Sequence, residues 1–429
     1  MLNRFFKNKV AKNASWIILC RVAQTVLSMV IAMLSARYLG PSNYGVVNYA
    51  ASVTAFFAPI VYLGFNSTLV QELVAAPEDE GRIMGTSIIM SVASAFMCMV
   101  GVTAFVSVAN PGETETLIVC VLYSTLLVFQ AIDLLRYWFL SKYMSKISSI
   151  AMLVSYAVAA LYKIYLLATG KSVIWFAVSN SIEYMLIAIL LIIMYKVKGG
   201  ARIGFSWQIG KRMFAKSKYY ILSSMMVTVF THTGKILINV LLDEASTGYY
   251  SAAVAVITMP SFVFTAVVDS FRPEILKSKN PQSLNSGMIR LYAIVFYLSL
   301  AQCLGITLLA RPIVDFIYGP AYAASVGALQ IGIWYTIISY MSFARGIWVL
   351  ATGKQKYLWI INLAGAITNV AVNFLLIPRI GILGAAVASV VTEFISNIVV
   401  CYFIKPLRES NLMMLKAMNP KVLLSLIRR

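Results

Sequence analysis

Twelve long apolar runs constrain the fold of this chain more than any other feature. A helix of roughly 20 apolar residues crosses a bilayer core about 30 Å thick. The runs, each about that length or longer, are 14–37, 44–66, 83–109, 117–140, 147–168, 173–195, 217–241, 248–270, 287–310, 323–350, 357–377 and 383–404. None alternates between polar and apolar residues as barrel strands must. They predict an all-α polytopic membrane protein with twelve transmembrane helices.

Composition excludes the soluble classes. The 429 residues are 60% hydrophobic and 12% charged, whereas a soluble domain carries about a quarter charged residues. The net charge of +20 would suit nucleic acid, but the basic residues lie between the apolar runs and leave little water-soluble surface. We therefore expect the lipid bilayer as a partner and no nucleic acid.

The placement of Lys and Arg predicts the orientation. With the N-terminus inside, the cytoplasmic segments carry 27 of these residues, the outer segments carry four, and the spans hold the remaining four of the 35. An excess of Lys and Arg on one side marks the cytoplasmic side. The sequence therefore predicts that both termini are cytoplasmic, which agrees with an even number of spans.

Weak internal similarity predicts two lobes. The turn at 39–45 recurs at 242–248, 203 positions later, and 136–140 recurs at 345–349, 209 positions later. Each copy holds six spans, so both insert with the same orientation, as in parallel pseudo-twofold repeats with a cleft between them. The expected organisation is an N-terminal six-helix lobe at 1–195, a basic cytoplasmic linker at 196–216, a C-terminal six-helix lobe at 217–405 and a basic cytoplasmic tail at 406–429.

Cations within the spans are the first candidate functional residues. A charge costs about 2.5–3.5 kcal/mol at the centre of a membrane helix, so a lipid-facing position is disfavoured. Excess cations in a hydrated cavity would attract an anion, such as a lipid head group with two phosphates. The predicted substrate-binding residues of this cationic cavity are Arg21, Lys235, Arg345, His232, Gln24 and Asn239. For each there is an alternative, structural interpretation: ion pairing, packing or bridging between helices.

Acidic residues within the spans are candidates for coupling transport to Na⁺ or H⁺. Glu183, Glu393 and Asp133 lie inside apolar runs. The alternative is a structural ion pair, for instance between Asp133 and Arg136, which are three residues apart on one helix face. Catalytic motifs are absent: there is no GxxxxGK[ST] phosphate loop, and one histidine excludes a multi-histidine metal site. We expect a transporter rather than an enzyme, with no cofactor.

Several short motifs resemble a known family. They are Asn13-Ala14-Ser15-Trp16, Ala36-Arg37-Tyr38-Leu39-Gly40-Pro41-Ser42-Asn43-Tyr44-Gly45, Leu63-Gly64-Phe65, Ala351-Thr352-Gly353-Lys354 and Gly381-Ile382-Leu383-Gly384-Ala385-Ala386. Together they are similar to the polysaccharide repeat-unit (Wzx-type) flippases of the multidrug/oligosaccharidyl-lipid/polysaccharide exporter superfamily, over nearly the whole chain. The turn at 36–45 is the most specific of them.

The resemblance implies a MATE-like, V-shaped fold of two lobes that works by alternating access. It implies translocation of an undecaprenyl-diphosphate-linked oligosaccharide to the outer leaflet of a bacterial plasma membrane, for capsule, O-antigen or exopolysaccharide synthesis. A polysaccharide polymerase and the chain-length machinery would be its partners. In this family spans one, two, seven and eight border the cavity, which supports Arg21, His232 and Lys235 as cavity residues.

Three other functions stay open at the level of sequence. A flippase for the peptidoglycan lipid precursor is usually longer, often by two spans. A cation-coupled drug exporter of the same superfamily would favour acidic residues for organic cations. A membrane scaffold that organises glycan synthesis without transport would tolerate neutralisation of the buried charges.

Overall fold

The computed structural model describes residues 9–278 and 280–422, and their side chains from residue 24 onwards. The described residues are helical with short connections and contain no strand. In chain order the α-helices are α1 Lys9–Val61, α2 Phe65–Ala75, α3 Glu80–Ala109, α4 Thr114–Ser124, α5 Leu126–Ile132, α6 Leu135–Ser141, α7 Ser145–Ala168, α8 Val173–Val197, α9 Trp207–Leu241, α10 Glu244–Thr258, α11 Ser261–Leu276, α12 Pro281–Ile317, α13 Ser325–Gly332, α14 Tyr335–Ala351, α15 Leu358–Ile380, α16 Ile382–Phe394, α17 Cys401–Phe403 and α18 Lys405–Ala417. A π-helix, Ile395–Val400, joins α16 to α17.

The chain forms two compact units, one up to Thr228 and one from Val229 onwards. The division falls inside α9, so this helix contributes its first part to the N-terminal unit and its last part to the C-terminal unit. The lobe and linker boundaries predicted from sequence stay predictions.

The helices confirm the predicted fold class. Within the described residues ten helical stretches are long and apolar enough to cross a membrane, and the pair α13–α14, bent by 42°, gives an eleventh. The first stretch, Gln24–Ala75, covers 24–37 of the first predicted run and the whole of the second, which lie on either side of Gly40. The count of twelve crossings and the inward orientation of both termini stay predictions.

Gly40 marks the boundary between the first two predicted runs. The helix α1 continues through the turn motif, but Gly40 has φ 70° and ψ 174°, which is not helical. A residue without a Cβ adopts this positive φ at no steric cost. Pro41 follows Gly40 and begins the second arm of the helix. Proline is tolerated in the first turn of a helix, because an N–H at that position has no helical acceptor. The kink thus divides α1 into two arms.

The two units repeat the same breaks in their helices. The fourth predicted span breaks after α4, where Thr125 N–H donates to Leu122 O at 3.3 Å, and the tenth breaks after α13, where Trp334 N–H donates to Ile331 O at 3.3 Å. The turns that follow these spans both use a positive φ, 58° at Tyr143 and 69° at Gly353. The two units therefore share broken helices at equivalent positions.

The segment between α8 and α9 packs closely on α3 within the N-terminal unit. Gly204 N–H donates to Gly81 O at 3.0 Å, and Ser206 N–H donates to Thr86 Oγ1 at 2.9 Å. A Cβ on Gly85 would lie 2.3 Å from Gly204 O. Only a residue without a side chain permits this approach of the two backbones, so the predicted linker is a packed segment.

A buried carboxylate fixes the beginning of α9 to α2. Glu72 is 6% exposed and pairs with Arg212 Nη2 at 3.2 Å and Lys216 Nζ at 2.5 Å. Next to this cluster, Ser217 Oγ donates to Leu63 O at 2.7 Å. Two of the seven cations at 196–218 thus neutralise a protein carboxylate.

The core of the C-terminal unit lies where α12, α14 and α18 meet. Tyr292, Trp348 and Leu407 are fully buried there, and Tyr292 shares a 2.8 Å hydrogen bond with Ser410 Oγ. The helix α18 belongs to the region predicted as a basic tail, yet its apolar face is part of this core. This packing places Arg345 of α14 inside the unit.

Candidate functional site

Three predicted residues share one face of the last part of α9. His232, Lys235 and Asn239 are three and four residues apart, which places them on neighbouring turns. Asn239 is buried, and His232 Nδ1 is buried without a hydrogen-bond partner among the described residues. Lys235 is half-buried, and no ion pair joins it to a carboxylate in the described part of the chain. This face therefore carries a cation without a carboxylate counterion.

Polar atoms of α10 and α15 approach α9 at Gly234. A Cβ on Gly234 would lie 3.4 Å from Tyr250 Oη and 3.7 Å from Asn373 Oδ1. Asn373 is buried, and its Oδ1 has no hydrogen-bond partner among the described residues. A buried amide oxygen without a partner is costly. Hydroxyl and amide groups of this kind are suited to hydrogen bonding with sugars.

Arg345 is held inside the C-terminal unit, at 1% exposure. Its Nη2 donates to Asn397 O at 2.7 Å and to Asn411 Oδ1 at 2.8 Å, and its Nη1 donates to Cys401 Sγ at 2.7 Å. The guanidinium thus ties α14 to the π-helix region and to α18. These contacts support the structural interpretation of Arg345; its role in substrate binding stays a prediction.

Asn397 links Arg345 to Glu393. Asn397 Nδ2 donates to Glu393 Oε2 at 2.7 Å, while the backbone oxygen of Asn397 accepts from Arg345. Glu393 is itself buried and lies just before the π-helix, a distortion that is frequent at functional sites. The structure therefore brings two residues that were predicted for different roles into one hydrogen-bonded chain.

Acidic candidates in the N-terminal unit have nearby cations or polar groups. Asp133 is buried and pairs with Arg136 at 3.3 Å, which supports the alternative interpretation of a structural ion pair. Glu183 is half-buried. Close to it in sequence, Asn180 Oδ1 accepts from Lys163 Nζ at 3.1 Å. Ion coupling by Asp133, Glu183 or Glu393 stays a prediction.

The remaining candidates lie on α1. Gln24 is half-buried, and the side chain of Arg21 lies outside the described side chains. Sequence reasoning did not identify Asn397 and Asn373, although each follows a polar residue, Glu393 and Asn369, by four positions inside an apolar run. That spacing was the available signal. Within the described chain, no group of three or more His, Cys, Asp and Glu side chains is placed to hold a metal ion.

Comparison with known proteins agrees with this architecture. A family model described as "Polysaccharide biosynthesis protein" matches residues 34–327. Capsular polysaccharide biosynthesis protein CapF of Staphylococcus aureus is 21% identical over 417 residues, which cover 92% of this chain and 99% of CapF.

Two solved structures share the fold. Lipid II flippase MurJ, in an inward closed conformation, has a TM-score of 0.74 at 13% identity, covering 94% of this chain and 90% of MurJ. An inward-facing MATE family multidrug transporter has a TM-score of 0.68 at 14% identity, covering 90% of this chain and 96% of the transporter. Because the family model matches more than half of the sequence, this chain belongs to the polysaccharide biosynthesis protein family.

Proposed function

We propose that this chain is a Wzx-type flippase of the multidrug/oligosaccharidyl-lipid/polysaccharide exporter superfamily, and that it moves an undecaprenyl-diphosphate-linked oligosaccharide repeat unit from the cytoplasmic to the outer leaflet of a bacterial plasma membrane. The transport would proceed by alternating access and supply capsule, O-antigen or exopolysaccharide synthesis. Membership of the family and the likeness to CapF support the substrate class. The observation that carries the proposal is the cation on the last part of α9, Lys235, which has no ion pair within the described chain.

The polar head of the lipid makes its passage through the membrane unfavourable. Each sugar hydroxyl or phosphate oxygen that enters hydrocarbon without a partner costs several kcal/mol. Lys235 supplies a positive charge for a phosphate, and the neighbouring His232 and Asn239 supply polar groups on the same helix face. We assign Arg21 and Gln24 to the same role on α1 by their position in the first span.

Energy for net transport would come from Na⁺ or H⁺. Among the acidic candidates Glu393 and Glu183 suit this role better than Asp133, because Asp133 already pairs with Arg136 at 3.3 Å. A polysaccharide polymerase and the chain-length machinery would act on the product in the outer leaflet. These partners follow from the proposed substrate.

A deletion in the host tests the proposed substrate class. Without this chain we expect surface polysaccharide to disappear and the undecaprenyl-diphosphate-linked repeat unit to accumulate on the cytoplasmic side, with growth otherwise normal. Arrested cell-wall synthesis with accumulated peptidoglycan precursor would instead indicate the alternative lipid. Increased sensitivity to organic cations, with unchanged glycan, would indicate a drug exporter.

The scaffold alternative is separated by complementation of that deletion. The test variant replaces Lys235, Glu183 and Glu393 together by neutral residues. If the protein only organises other enzymes, this variant should restore surface glycan. We expect this variant to reach the membrane at normal level and to restore none. Restored glycan would contradict transport by this chain.

A further inference from the structure

An apolar cavity of about 220 Å³ lies between the end of the π-helix, α17 and the C-terminal helix α18. Its walls include Ile398, Val399, Phe403, Met414 and Leu415. All of these residues belong to the C-terminal unit, and none was a candidate in the sequence. The cavity therefore needs an explanation that is separate from the face around Lys235.

The cavity opens at the surface of its unit. Phe403 is 77% exposed and Leu415 is 60% exposed, although both are apolar. Phe403 ends the stretch Ile382–Phe403 that is apolar enough to cross a membrane. The chain then turns at Ile404, which is extended, and α18 begins at Lys405. The opening is thus placed at the end of a membrane span, where hydrocarbon meets the head groups.

A cation lies at the rim of this cavity. Tyr402 also lines it, and the guanidinium of Arg408 lies 4.1 Å from the centroid of the Tyr402 ring and donates to its hydroxyl. No ion pair within the described chain occupies Arg408, and its neighbour Glu409 contacts Asn285 and Lys354 instead. The rim therefore carries one positive charge, on Arg408, that no carboxylate of the described chain neutralises.

The back wall connects the cavity to the buried arginine. Asn411 lines the cavity, accepts from Arg345 and donates to Ile398 O at 2.8 Å. Met414 lines it as well, with its Sδ 3.3 Å from Arg345 Nη2. These bonds fix the wall, so the cavity is a formed feature of the fold.

We infer that this cavity binds one acyl chain of an anionic membrane phospholipid, with the phosphate of that lipid at Arg408. An apolar chain gains free energy in proportion to the apolar surface that it buries, and cations beside a membrane attract anionic lipids. The bound lipid would brace α18 against the last span. This site is distinct from the proposed transport substrate, and it does not depend on it.

Native mass spectrometry of the purified full-length protein tests the site. The probes are phosphatidylglycerol and phosphatidylcholine with identical acyl chains, titrated into delipidated protein. We expect phosphatidylglycerol to be retained about fivefold more strongly, the effect of one cation near the head group. Leu415→Trp should block retention of both lipids, because it fills the cavity from an exposed position. Arg408→Gln should retain the two lipids equally.

Matched controls are available on the same helix. Leu412→Trp adds the same ring at an exposed position that does not line the cavity, and Lys416→Gln removes one charge away from Tyr402. Both should bind as the unmodified protein does. Unchanged retention by Leu415→Trp, or equal effects of Arg408→Gln and Lys416→Gln, would overturn the inference. Displacement of phosphatidylglycerol by a lower concentration of undecaprenyl phosphate would also overturn it, because the cavity would then serve the transported lipid.

Discussion

At the scale of single residues, Lys235 and Arg345 are two cations with opposite surroundings. Arg345 donates to Asn397, Asn411 and Cys401, whereas no hydrogen bond or ion pair accounts for Lys235 in the described chain. A charge with partners stabilises a fold, and a charge removed from water without them destabilises it. The two residues should therefore differ in what their replacement does to stability.

Replacement of Lys235 by Met should raise the apparent melting temperature in detergent while surface glycan is lost. The apolar side chain removes a half-buried ammonium that no carboxylate of the described chain pairs with, but the phosphate loses its cation. The measurement is thermal unfolding of the purified protein beside complementation of the deletion strain. A lower melting temperature together with normal glycan would assign Lys235 to the fold instead.

Replacement of Arg345 by Ala should destabilise the C-terminal unit. It removes three hydrogen bonds from a charged donor, including those to Asn397 O and Asn411 Oδ1, a cost of roughly 3 kcal/mol or more. The melting temperature should fall clearly. Arg311→Ala is the control, since Arg311 is exposed and pairs with Asp315 on the surface, which contributes about 0–1 kcal/mol. An equal, small effect of both variants would contradict the buried network.

At the scale of elements, the segment 198–206 and the first turns of α9 are the least expected feature. The seven cations at 196–218 predicted a basic cytoplasmic linker, yet glycines and a buried carboxylate attach this region to α2 and α3. Close approach of two backbones depends on the shape of both partners. The residue pattern of a single segment does not reveal the shape of its partner, so the packing of 198–206 on α3 could not be predicted from the sequence.

Gly85→Ala should release this segment from α3. The added Cβ would lie 2.3 Å from Gly204 O and 2.6 Å from Ile203 Cγ2, distances at which one element must move. We expect trypsin to cut at Arg202 faster than in the unmodified protein, measured by the fragments released from purified protein. Gly305→Ala is the control, because nothing lies within 4 Å of a Cβ on Gly305. Similar digestion of the two variants would contradict the packing described for α3.

At the scale of the whole molecule, hydropathy and repeat predicted the all-helical membrane fold and its duplication. These properties follow from the lipid bilayer. Because lipid offers no hydrogen-bond partners, the backbone N–H and C=O groups of each apolar run must pair with one another in a helix. The kink at Gly40 and the breaks after Ser124 and Gly332 shifted helix ends but kept the order. The candidate site was less predictable. Asn397 and Asn373 belong to it only through contacts with residues of other helices, and the pattern within one span does not predict such contacts.

The predicted topology is a property of the entire chain. A single cysteine introduced in the segment 198–206 or in the loop after α14 should react only with a membrane-permeant thiol reagent, since these segments are rich in Lys or Arg and should be cytoplasmic. A cysteine beside Lys171 or Arg379 should react with an impermeant reagent in intact cells. The reverse pattern would contradict the predicted orientation of the termini.

The most direct test of the central claim is the initial rate at which purified protein in proteoliposomes translocates an undecaprenyl-diphosphate-linked oligosaccharide. The rate for the unmodified chain is compared with those for Lys235→Ala and Lys235→Arg. Loss of a contact between a charged group and the substrate corresponds to about a ten- to hundredfold lower rate. We predict a fall in this range for Lys235→Ala and a rate close to normal for Lys235→Arg. Equal rates for all three proteins, or no translocation by the unmodified chain, would contradict the account.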